Sequence, residues 1–76
     1  MTVNRLGANR AEVVLANGVA VLVSYHTPVA AYIPGRGYVR TAERYSRTAS
    51  KHVHQWIGIE TAEAVPQSEL AALIGG

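Results

Sequence analysis

The densest hydrophobic stretch of the chain is "AEVVLANGVAVLVSY", residues 11–25, in which two β-branched runs flank Asn17-Gly18. Asn-Gly readily adopts the paired positive φ angles of a two-residue type I′ turn, so the pattern predicts a β-hairpin. With that turn Ala16 faces Val19, Val14 faces Val21 and Glu12 faces Val23. The opposite face then carries Leu15 with Ala20, Val13 with Leu22, and Ala11 with Ser24. Both faces are apolar near the turn. One can be covered by helices, and the other needs a second layer, an oligomer partner or a target. Upstream, "TVNRLG" adds a short strand, with "GAN" turning into the hairpin.

In "HTPVAAYIPGRGYVRT" the run Val29–Ile33 suits a short strand, although Pro28 is disfavoured in a central strand at its own position. "PGRG" is a loop, and "YVRT" reads as a further strand. A helix through Arg36, Arg40, Arg44, Arg47 and Lys51 would line those cations on one face. The glycines at its start and its Tyr, Val and Thr content favour the strand instead.

The pattern then changes period. Ala49, Val53, Trp56 and Ile57 recur at helical spacing, with Ser46, Thr48 or Ser50 as the N-cap and Gly58 as a left-handed C-cap. Pro66 suits the first position of a second helix whose Leu70, Leu73 and Ile74 face the core. The expected fold is a single α+β domain over residues 1–76. It comprises a small antiparallel sheet of four to five strands, a meander with an Asn-Gly hairpin, followed by two short C-terminal helices on one face.

Composition narrows the class. At 76 residues and 49% hydrophobic, the chain has material for one modest core. It has no cysteine, so disulfides and thiolate zinc sites are excluded. Its N-terminus lacks an apolar signal core, and no stretch reaches the roughly 20 apolar residues of a membrane span, so a soluble cytoplasmic protein is expected.

The net charge of +2 is unevenly spread. Residues 36–51 hold Arg36, Arg40, Arg44, Arg47 and Lys51 against Glu43, whereas residues 52–76 hold Glu60, Glu63 and Glu69 and no Lys or Arg. A basic stripe can meet phosphate or an acidic protein surface, or be neutralised by the chain's own acidic end.

Candidate chemistry is sparse. His52 and His54 are two apart, and on a helix such residues point about 200° from one another, so they cannot chelate one ion. His52 reads as a structural histidine near Trp56, and His54 as exposed. No nucleophile elbow or phosphate-cradling loop is present, so no metal, cofactor or catalytic residue is assigned and the chain is not expected to be an enzyme. Tyr32, Tyr38 and Tyr45 interleave with Arg36, Arg40 and Arg44, a mixture able to stack bases and neutralise phosphates or to anchor a protein interface. The candidate partner-binding residues are Tyr32, Arg36, Tyr38, Arg40, Arg44, Arg47 and Lys51.

Taken together, "SYHTPVAAY", "GYVRT" and "YSRTASKHVHQWI" resemble a family of short domains of unknown function found in phages and mobile elements. The matching positions are Ser24, Thr27, Pro28, Val29, Ala30, Tyr38, Arg40, Thr41, Thr48, Ser50, His52, Val53, Trp56 and Ile57. The resemblance implies no catalytic residues and makes the histidine–tryptophan pair a fold signature. Small phage-type proteins of this style are similar in kind to anti-CRISPR proteins. By that likeness the expected function is a non-enzymatic, phage-encoded inhibitor that occludes a surface of a host defence complex, such as CRISPR effector subunits. A small nucleic-acid-binding or regulatory protein using the Arg/Tyr stripe is the alternative. A structural protein that oligomerises through the second sheet face is a third reading, and either a monomer or a homodimer is compatible with the sequence.

Overall fold

The computed structural model describes residues 2–7, 9–25, 27–42, 47–58 and 61–75, the backbone alone at 47–49 and 75. The chain forms β1 (Thr2–Gly7), β2 (Arg10–Val14), β3 (Ala20–Ser24), β4 (Thr27–Ile33), β5 (Gly37–Thr41), α1 (Arg47–Ile57), β6 (Ala62–Val65) and α2 (Gln67–Gly75). The strands make one sheet in chain order, antiparallel from β1 to β5 and parallel between β5 and β6. The sheet therefore has six strands among the described residues, more than the four to five expected. The additional strand is "AEAV", which has one β-branched residue and no clean alternation. Its extended state comes from pairing with β5, reached by a crossover through α1 as a parallel pair requires.

That crossover corrects the expected layering. α1 and α2 lie on opposite faces of the sheet, not on one. On the α2 side, Val21, Ala31, Val39, Val65 and Leu70 form a core flanked by Leu73 and Ile74. On the α1 side, Leu22, Val29, Ala30, Val53 and Ile57 pack together with Tyr38, Trp56 and Ala62 against them. The second apolar sheet face, expected to need a second layer, an oligomer partner or a target, thus receives that layer from the chain's own α2. Leu22 and Leu70, one per layer, are fully buried, each contributing roughly 1.5–3 kcal/mol.

The hairpin forms with a different register. Val14 pairs with Ala20, Val13 with Val21, and Glu12 with Leu22. The Leu15 N–H donates to Val19 O at 2.8 Å and the Gly18 N–H to Leu15 O at 3.0 Å, enclosing the three-residue loop Ala16-Asn17-Gly18. Only Gly18 adopts a positive φ there, 89°, and the Asn17 side-chain oxygen accepts from Val19 N–H at 3.1 Å. This is the common three-residue solution, and the one-residue slip moves Glu12 to the face of Leu22, under α1.

Pro28 is accommodated by a bulge. Leu22 pairs with Ala30 but Val23 pairs with Pro28, so Val29 is the extra residue on β4 and joins Ala30 in the α1-side core. α1 ends as expected: the Gly58 N–H donates to His54 O at 2.9 Å with φ 71°. Of the expected N-cap candidates, Ser46 lies outside the described residues, while Thr48 and Ser50 fall inside the helix that begins at Arg47. α2 starts directly after Pro66 and is tied to β4 by Gln67 Nε2, which donates to Pro28 O at 2.7 Å.

Candidate functional site

Alternation along β4 and β5 sends Tyr32, Tyr38 and Arg40 to the α1 side of the sheet, where Tyr32 pairs with Tyr38 and Ala30 with Arg40 across the strands. The Tyr32 and Tyr38 rings meet edge to face with centroids 5.0 Å apart. Tyr38 in turn meets Trp56 of α1 edge to face at 5.6 Å. An aromatic row thus runs from β4 through β5 to the helix, exposed at its Tyr32 end.

Beside that row is a cleft of about 340 Å³. Val53, Ile57 and Ala62 give it apolar walls, and Arg40 from β5, His54 from α1 and Thr61 just before β6 supply its polar groups. Arg40 and His54 are both exposed, and Arg40 makes no ion pair among the described residues. Lys51, also exposed, adds a cation on the outer surface of α1.

Arg36 behaves differently. It occupies the β4–β5 turn and touches the margin of the aromatic surface, lining a shallow depression with Tyr32, Tyr38 and Glu63. Its guanidinium, however, donates to Glu63 Oε2 at 2.8 Å and to Glu69 on α2. Those two hydrogen bonds hold its pKa above the usual arginine value. The acidic end of the chain thus neutralises one cation of the basic stripe, whereas Arg40 has no ion pair among the described residues. Arg44 lies outside the described residues, and Arg47 opens α1. The structure therefore gathers Tyr32, Tyr38 and Arg40, sets Arg36 at their edge, and adds His54 and Thr61, which the sequence did not single out for a role. The i, i+1 placement of His54 after the inward-facing Val53 was the available signal for it.

The histidine–tryptophan pair is held separately by hydrogen bonds. His52 is buried, with its Nδ1 3.0 Å from Ser24 Oγ and its ring stacked on Tyr25 at 6.3 Å. Burial, and then the positive charges of Arg10 and Lys51, lower its pKa, so the fold favours the neutral ring. Trp56 Nε1 donates to Glu12 Oε1 at 2.9 Å, and Asn4 Nδ2 donates to the same carboxylate at 3.3 Å. Arg10 donates to Gln55, closing the gap between β2 and α1. His52 is structural, as expected, but through Ser24 and Tyr25 and not through Trp56. His54 is exposed, as expected. Among the described residues no three His, Asp, Glu or Cys side chains come together as metal ligands, and no helix is long and apolar enough to cross a membrane.

The fold and site define a small α+β domain, one six-stranded sheet between two helices, with an aromatic and basic face on the α1 side. The chain belongs to a family of unknown function (DUF8033), which it matches over residues 1–72. No curated protein and no solved structure matches it.

Proposed function

We propose that this domain is a non-enzymatic binding protein that acts by occluding a surface on a partner, using its α1-side face for docking. The observation that carries the reading is the pairing of Tyr32 and Tyr38 beside a cleft with apolar walls whose Arg40 has no ion pair among the described residues. Aromatic rings and arginines next to a small apolar recess are the side chains that typically anchor protein interfaces. A specific interface takes about 800 Å² from each partner, a modest share of the 4824 Å² surface of this domain. In its finer form the proposal makes the protein a phage-encoded inhibitor and the partner a host defence complex of the CRISPR effector type. The support for that form is the small size of the domain and its sequence likeness to short phage-type domains.

The second reading, a nucleic-acid binder, is favoured by the exposed Tyr32 next to the cations of the same face. One experiment separates the two. The tagged protein is used to capture partners from a bacterial lysate containing a CRISPR effector complex, with and without nuclease. Effector subunits retained in fixed stoichiometry after nuclease support the inhibitor. Recovery of nucleic acid alone, lost on nuclease treatment, supports the second reading.

A further inference from the structure

We infer that the cleft beside β6 receives an extended acidic segment of a protein partner, added as a strand to the open edge of β6 with an aliphatic side chain in the cleft and a carboxylate on Arg40. The inference rests on the protein-binding reading above and names the chemistry of the partner.

The edge comes first. β6 is the last strand of the sheet, and among the described residues it pairs with β5 only. Its outer N–H and C=O groups are a template for another peptide backbone, as in recognition by strand addition. The opposite edge is less suited, because β1 is broken by a register shift between Arg5 and Gly7. Bulges are among the devices that oppose strand addition.

The side chains of β6 then set what can be added. On the α1 side they are Ala62 and Ala64, in register with Tyr38 and Arg40 of β5. Neighbouring strands lie about 4.8 Å apart, so an added strand would run about 10 Å from β5. Arg40 can reach across the methyl group of Ala64 to an Asp or Glu on that strand, a gap that two long side chains span together. Two residues along the added strand, a side chain on the same face would come level with Ala62 and the apolar walls of Val53 and Ile57. A valine or leucine fits there. A phosphate fits that part of the cleft less well, because it lies between Val53, Ile57 and the carbonyl end of α1 at Gly58, where the helix dipole disfavours an anion, away from the Arg40 end. The alternation of an acidic and an aliphatic residue therefore matches this surface better than a nucleic-acid backbone does.

The test uses the full, isotope-labelled chain and three sets of heptapeptides. One is a pool with alternating valine or leucine positions and a fixed central Asp or Glu. The second carries Lys at the centre. The third holds acidic peptides N-methylated on one or the other set of alternate residues. Saturable amide shifts at Ala62–Val65 are expected with the acidic pool, with the lysine pool at least about tenfold weaker. Arg40→Glu, with an otherwise unchanged spectrum, should reverse that preference. One N-methylation pattern should abolish binding and the other should keep it, since alternate N–H groups of an added strand face the sheet and the solvent. Equal binding of acidic and lysine peptides, retention by both methylated sets, or shifts that spare β6 would overturn the inference. So would a single-stranded oligothymidylate that shifts Tyr38 and Arg40 while the peptides shift nothing. The two readings fail separately. A partner captured after nuclease treatment that still binds Arg40→Glu leaves the binding function standing and removes this site. Peptides that bind β6 when no protein partner is retained do the reverse.

Discussion

His52 links the sheet to α1 through a single ring. Its Nδ1 meets Ser24 on β3, its face meets Tyr25, and Arg10 and Lys51 lie close enough to oppose a positive charge. The folded-state pKa is therefore below the ordinary value of about 6.5 that the unfolded chain retains. Between those two values the unfolded state binds more protons, so this contribution to stability is complete above about pH 6.5 and is lost as the pH falls towards the folded pKa. The urea midpoint should fall between pH 7 and pH 5, above the range where ordinary carboxylates titrate. In the double variant Ser24→Ala with His52→Phe, which replaces both partners by apolar groups, that slope should flatten. The same slope in both proteins would show that another group is responsible. The structural role of His52 was legible, since the apolar stripe on α1 rules out chelation with His54. Its partners were not, because Ser24 is 28 residues away and reaches the ring only through the packing of α1 on β3. Trp56 likewise reads as a core residue by spacing, yet it is half-buried and uses its N–H on Glu12.

Among the elements, the β2–β3 hairpin shows what a hydrophobic pattern can and cannot decide. The run from Ala11 to Ser24 identifies two strands and a turn at Asn17-Gly18 without ambiguity. It does not fix the register, because valines and leucines occupy both faces near the turn and alternation cannot distinguish a two-residue from a three-residue loop. The three-residue loop concentrates the conformational demand on Gly18, at φ 89°, where an added Cβ would also lie 3.2 Å from the Pro34 ring. Gly18→Ala should cost about 1–2 kcal/mol, read as a lower midpoint in chemical denaturation with an unchanged fold. A midpoint within error of the parent would mean that the turn can relax to a conformation without the positive φ. β6 was illegible for the opposite reason. "AEAV" carries no hydrophobic pattern, and its strand state is imposed by β5 from a distance. With β6 overlooked, both helices follow the sheet in sequence and fall naturally on one face, and the crossover that separates them is lost.

Across the whole molecule, the charge map in the sequence is basic at 36–51 and acidic afterwards. Among the described residues, which cations stay unpaired depends on α2 and β6, which bring Glu69 and Glu63 to Arg36 and leave Arg40 on the other side of the sheet. Arg36→Ala should therefore leave partner retention in the capture experiment within about twofold of the parent, whereas Arg40→Glu should reduce it at least about tenfold. Equal losses would return the interface to the undivided stripe. The order of the sheet has a different consequence. Each strand lies beside the one that precedes it in the chain, so all five antiparallel strands can zip together with short loops and little closure entropy. β6 alone needs a helix in place first. A sheet laid down in this order can grow in the sequence in which a ribosome delivers it, and its last edge, the one with the cleft, is the last part of the sheet to exist.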